Sequence, residues 1–128
     1  MLLGSHALTT LKDRRVLLVE DETLIAMMVE DMLADLGCTV VGPASDLDEA
    51  FALLEEHNGL DAALLDVNLA GSSVFPLADE LRGRGVPLIF TTGYGDAGLR
   101  DADRGAAVLR KPYRAEELAA AISAAVTP

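Results

Sequence analysis

Five short apolar runs, each separated from the next by residues with helical spacing, leave this chain few ways to fold. Arg15 to Val19 (RVLLV), Cys38 to Val41, Ala62 to Leu65, Val86 to Thr91 (VPLIFT) and Ala106 to Arg110 are too short for buried helices and carry little polar alternation. Each reads as a strand covered on both faces. Between them the period lengthens. Ile25, Met28, Val29, Met32 and Leu36 predict a helix that opens near Glu22 and stops at Gly37, with the Met27, Met28 and Met32 cluster serving its packing. Leu47, Ala50, Phe51 and Leu54 fall at i, i+3, i+4 and i+7, with Ser45 or Asp46 as the cap and Asn58-Gly59 as the stop. Gly71, Ser72 and Ser73 read as the loop and cap before a third helix marked by Val74, Leu77, Ala78 and Leu81, which closes at Gly83 to Gly85. A brief, weak helix is expected near Ala97 to Asp103, and Leu118, Ala121, Ile122 and Ala125 mark the last. Gly42-Pro43 is expected to break the second strand. Parallel strands need crossovers, and here the crossovers are helices, so the pattern predicts a doubly wound five-stranded parallel sheet with helices on both faces.

At 128 residues, 51% of them apolar, the chain is long enough for one buried core and too short for two ordinary domains. Twenty-one acidic against ten basic residues give a formal charge of −11, and the basic residues are scattered, which argues against nucleic acid as a partner. No apolar run approaches the roughly 20 residues that cross a bilayer, so no membrane association is expected. The opening MLLGSHALTTLKDR lacks the apolar core of a secretory signal, and residues 1–13 read as a tail or linker ahead of a domain at 14–128. A cytoplasmic location follows. The single cysteine, Cys38, has no internal disulfide partner and reads as a small core residue. His6 and His57 have no ligand-like neighbours.

In doubly wound sheets, ligands bind beyond the carboxyl ends of the strands. The residues there are Glu20 and Asp21 after the first strand, Asp66 after the third, Thr92 after the fourth and Lys111 after the fifth. Three carboxylates brought together repel one another, and a hard divalent cation with oxygen ligands relieves that repulsion; magnesium, which keeps positions open for water and phosphate oxygens, is the natural candidate. In such a site the Asp66 carboxylate can attack phosphorus to form an acyl phosphate. The metal and Lys111 would neutralise charge on the transferred group, and the Thr92 hydroxyl could donate to a phosphoryl oxygen, turning a covalent change into a loop movement.

Taken in order along the chain, Glu20-Asp21, Asp66 within LLDVNL, Thr92-Gly93 and Lys111-Pro112 resemble the receiver domain of two-component response regulators, from about Arg15 to Val126. The resemblance implies the flavodoxin-like strand order 2-1-3-4-5. It makes Asp66 the phosphoacceptor, Glu20 and Asp21 the acids on the Mg2+ side, Asn68 a metal ligand through its backbone carbonyl, Thr92 the switch hydroxyl and Lys111 the phosphoryl-binding cation. It also implies a cis bond at Lys111-Pro112; read without the family, Pro112 would simply start the last helix. Implied partners are a histidine kinase or histidine phosphotransfer protein and an unknown downstream protein. Phe90-Thr91-Thr92-Gly93-Tyr94-Gly95 resembles the FAT GUY class of receivers, with Thr91 in place of the alanine and Gly95 in place of the final tyrosine. The chain departs from the family at Val108, where strand five usually carries an aromatic residue, and at Ala70 and Val74, where proline and glycine are usual. Tyr94 is the candidate replacement for the missing aromatic.

Two further readings stand beside this one. The leading reading is a stand-alone receiver whose signal, with no output domain after Pro128, is expected to leave through protein contacts. The chain could instead be one receiver of a hybrid histidine kinase or a larger regulator, which flanking sequence would decide. An aspartyl phosphohydrolase would use the same nucleophile and metal, but such enzymes carry a second acid two residues past the nucleophile, where this chain has Asn68.

Overall fold

The computed structural model describes residues 11–69, 71–93 and 98–127. In chain order the elements are β1 (Arg15–Val19), α1 (Thr23–Asp35), β2 (Thr39–Ala44), α2 (Leu47–Glu56), β3 (Ala62–Asp66), β4 (Asn68–Leu69), β5 (Ser72–Ser73), α3 (Phe75–Gly83), β6 (Leu88–Thr92), a 3-10 turn (Asp101–Asp103), β7 (Ala107–Arg110) and α4 (Ala115–Val126). The large sheet runs β2-β1-β3-β6-β7 with every neighbouring pair parallel. Numbering only its own strands, that is the flavodoxin-like order 2-1-3-4-5. The chain winds outward from β1 to β2 and returns to β3, so the order reverses between β1 and β3 and opens a crevice at their carboxyl ends.

Alternation along the strands divides the core into two layers. Leu17, Val19, Leu65 and Phe90 face one side, against Ala50 and Leu54 of α2 and Leu77, Ala78 and Leu81 of α3. Val16, Leu18, Leu64, Ile89 and Leu109 face the other, against Val29 and Leu33 of α1 and Leu118 and Ile122 of α4. Because both faces are covered, the strands read as unbroken apolar runs rather than alternating ones. Leu11 is fully buried in the second layer, and its carbonyl accepts from the thiol of buried Cys38 at 3.6 Å. Among the described residues, no helix is long and apolar enough to cross a membrane.

Several local expectations change. The second strand is not broken at Gly42-Pro43 but runs through it to Ala44. β2 is an edge strand, where a missing N–H need not leave a ladder gap, and Gly42 at φ 108° sits opposite a register shift between Leu17 and Val19. On α1 the buried stripe is Ala26, Val29 and Leu33; Met27 and Met28 lie 55% and 58% exposed, and only Met32 of the methionine cluster packs against the core. Two apolar rows lie side by side on that helix, and the smaller, inner one faces the sheet. Ser72 and Ser73 form not merely a loop but a strand, β5, paired antiparallel with Asn68 and Leu69; the Ser73 hydroxyl then accepts from the Phe75 N–H at 3.2 Å.

Asp46, one of the two candidates, caps α2 by accepting from the Glu49 N–H at 2.8 Å. The weak helix before the last strand shortens to the 3-10 turn, and its expected start at Ala97 lies outside the described residues. Pro112 does not start the last helix, which begins three residues later at Ala115, after Arg114 donates its N–H to the Glu117 carboxylate.

A candidate phosphoryl-transfer site at the strand ends

Glu20 follows β1, Asp66 ends β3 and Lys111 follows β7, and parallel pairing brings these ends to one edge of the sheet. Buried strand flanks fix the position of each: Val19 and Leu65 are almost fully enclosed beside the two acids. Glu20, Asp21 and Asp66 each offer a carboxylate oxygen within 4.8 Å of the others. The Lys111 ammonium donates to Asp66 Oδ2 at 3.0 Å and lies 2.6 Å from Glu20 Oε1. The second oxygens are held by backbone: Asp66 Oδ1 accepts from the Asn68 N–H and Glu20 Oε2 from the Glu22 N–H, both at 3.1 Å. The Lys111-Pro112 bond is cis, as the family resemblance implies, and so is Gly42-Pro43.

Electrostatics follow from burial. Burial pushes the Glu20 carboxyl up to about 7 against the opposing hydrogen bonds from Lys111 and the Glu22 backbone, and Asp66 beside it adds to the rise. At Lys111, burial disfavours the ammonium, but hydrogen bonds to Glu20 and Asp66 outweigh that and hold its pKa above the ordinary lysine value. Tyr113 packs beside them, its phenol raised by burial and then by the Glu20 and Asp66 charges. An all-oxygen set of three acids within reach of one another suits Mg2+.

Thr92 is the last residue of β6 and is buried, and its carbonyl accepts from the Lys111 N–H at 2.8 Å. Alternation along β6 assigns it to the face of Phe90, whereas Asp66 belongs to the face of Leu64 and Ile89. The structure brings Glu20, Asp21, Asp66 and Lys111 together, and Thr92 ends its strand at the same edge of the sheet. Tyr94 lies outside the described residues. Val108, in the position of the usual aromatic residue, is half-buried against the Phe90 layer.

Sequence reasoning missed an ion-pair cluster between α3 and the 3-10 turn. Arg100 donates to both oxygens of Asp79 (2.8 and 3.1 Å) and of Asp103 (2.8 and 3.1 Å), while Arg82 donates to Asp103 at 2.8 Å. The Arg100 guanidinium also sits 4.4 Å over the ring of Phe75, which meets Phe90 edge to face. Asp103 is 1% exposed, and hydrogen bonding to Arg100 outweighs burial to hold its carboxyl below the usual range. The one sequence signal was a pair of acids flanked by arginines, RDADR, in a region otherwise read as a weak helix.

This topology with an acidic cluster at its strand ends defines a class: a doubly wound α/β domain with its site at the switch point of a parallel sheet. Residues 16–123 match the family described as the response regulator receiver domain, and the chain belongs to that family. It is similar to the transcriptional regulatory protein PdtaR of Mycobacterium tuberculosis, 36% identical over 118 residues that cover 89% of this chain and 57% of PdtaR. It is also similar to the phyllosphere-induced regulator PhyR of Methylorubrum extorquens, 33% identical over 87% of this chain and 43% of that protein. The chain spans about half the length of these curated relatives. Among solved structures, SdrG from Sphingomonas melonis Fr1 is 40% identical, with a TM-score of 0.79 over 90% of this chain and 98% of that one.

Proposed function

We propose that the chain accepts a phosphoryl group on Asp66 from a histidine kinase or histidine phosphotransfer protein and signals through contacts with a downstream protein. The observation that supports this most directly is the convergence of three carboxylates and the Lys111 ammonium, with Asp66 held at both oxygens. Glu20, Asp21, Asp66 and the Asn68 carbonyl would hold Mg2+, which when bound screens charge between the attacking carboxylate and the incoming phosphoryl group. The Asn68 N–H and Lys111 orient Asp66 for attack on phosphorus, and Lys111 stays within reach of the transferred oxygens. Thr92 is the switch hydroxyl, brought round the end of β6 toward the phosphoryl group. The cytoplasm is the proposed location.

A stand-alone receiver is favoured by the near-complete coverage of the SdrG chain. The second reading, a receiver within a larger regulator, is supported by the half-length coverage of PdtaR and by the Brucella abortus PhyR structure, matched with a TM-score of 0.81 over 53% of its chain. Incubation with Mg2+ and acetyl phosphate, followed by mass-spectrometric mapping, tests the central claim: the added phosphate should map to Asp66 and vanish in Asp66→Asn. Labelling that persists in that variant overturns it.

A further inference from the structure

The residue directly beside Asp66 in the sheet is Thr91, not Thr92. β6 lies between β3 and β7, and the register pairs Asp66 with Thr91 and Thr91 with Leu109. Residues paired across parallel strands share a face, as Leu64 and Ile89 do one step earlier, so Thr91 points to the side that carries Asp66. Lys111 starts from the far strand and still reaches Asp66 at 3.0 Å, so that ion pair crosses the middle strand above Thr91. Thr91 is 3% exposed. Its side chain is thus enclosed beside Asp66 on the same face of the sheet.

A hydroxyl in that position meets an acceptor with capacity to spare. A carboxylate offers about four lone-pair sites; at Asp66 the Asn68 N–H and Lys111 each take one, the proposed Mg2+ would take a third, and the fourth is freed as phosphorus leaves. Neighbouring strands lie about 4.8 Å apart, which leaves a short side chain within reach of its paired neighbour.

We propose that Thr91 is a positioning residue of the phosphorylation site whose hydroxyl, enclosed beside Asp66, turns to donate to the carboxylate as the acyl phosphate breaks down and thereby shortens its lifetime. The inference rests on Asp66 being the phosphoacceptor. In hydrolysis a water oxygen attacks phosphorus, the bond from phosphorus to the Asp66 oxygen breaks, and its electron pair returns to the carboxylate. Inorganic phosphate leaves and the proton from water passes to solvent. A donor fixed beside Asp66 stabilises the charge that returns there, and so favours breakdown over the phosphorylated state.

The test is the decay of phosphoprotein labelled with acetyl phosphate and Mg2+, followed by intact-mass spectrometry after the donor is removed. Thr91→Val, which keeps the shape and removes the hydroxyl, should lengthen the lifetime by about fivefold, the equivalent of one net hydrogen bond. Thr91→Ala should lengthen it likewise, and Thr91→Ser should restore decay near that of the unaltered chain. Unchanged decay in Thr91→Val, or equal shifts in the Ser and Val variants, would overturn the role of the hydroxyl. Failure of the underlying reading looks different: an unaltered chain that takes no label, or an Asp66→Asn variant that does.

Discussion

Lys111 holds Glu20 more closely than Asp66: its ammonium is 2.6 Å from Glu20 Oε1 and 3.0 Å from Asp66 Oδ2. The lysine therefore sits among the same oxygens a cation would use. Like charges a few ångströms apart near a protein surface repel by several kcal/mol, about 4 at 4 Å. Lys111→Met should bind Mg2+ about tenfold more tightly, a modest share of that repulsion. It should also take phosphate from acetyl phosphate about a hundredfold more slowly, because charge on the transferred group loses its fixed counter-ion. Calorimetric Mg2+ titration and the labelling rate read the two effects separately; equal Mg2+ affinity in both proteins would refute the competition.

The Asp103 cluster ties the 3-10 turn to α3 through one buried carboxylate. Replacing Asp103 by Asn should lower unfolding stability near neutral pH by about 2 kcal/mol, between the values for exposed and fully buried pairs. The pH dependence has a definite sign. Because the folded carboxyl lies below its ordinary 3.8, its contribution is fully present above that value and is lost as pH falls through the lower folded value. Denaturant titrations between pH 2 and pH 7 should show the gap between Asp103→Asn and the unaltered chain closing at the acid end; a gap constant with pH would contradict the assignment.

Gly42 has no room for a side chain. A Cβ there would lie 2.8 Å from the Leu18 carbonyl oxygen and 2.9 Å from the Ala44 nitrogen, on a backbone with φ 108°. Gly42→Ala should cost about 3 kcal/mol, whereas Gly71→Ala, with nothing within 4 Å of its Cβ, should cost about 1 kcal/mol for its positive φ alone. Chemical denaturation of the two variants checks the order.

The layout was legible where one residue type had one physical use. Apolar runs ending on Glu20 and Asp66 could be little other than buried strands delivering acids to an edge. Legibility failed where two solutions shared a composition. On α1 both helical rows are apolar, and only the position of the sheet selects Ala26, Val29 and Leu33. The β4–β5 ladder rests on two residue pairs, too few to show a period. Thr91 stood next to Thr92 in the sequence, but its relation to Asp66 depends on which strands are neighbours and in what register, and no single segment encodes that.

The α1 correction has its own measurement. Met27→Gln and Met28→Gln should change stability by no more than about 0.5 kcal/mol, while Leu33→Ala, at a fully buried position, should cost about 3 kcal/mol. Thermal unfolding of the three variants decides it; a large loss in either methionine variant would restore the original packing assignment.

The sheet at β6 acts as a partition one strand thick. Asp66, Glu20 and Lys111 occupy the compartment lined by α1 and α4, and Thr92 belongs by alternation to the compartment lined by α2 and α3, where Phe90, Phe75 and Arg100 are linked in series. A covalent event in the first compartment has a single peptide unit, from Thr91 to Thr92, to cross before it reaches the second. If Asp66 accepts a phosphoryl group as proposed, a donor that reaches the first compartment and a protein that reads the second would meet opposite sides of the sheet.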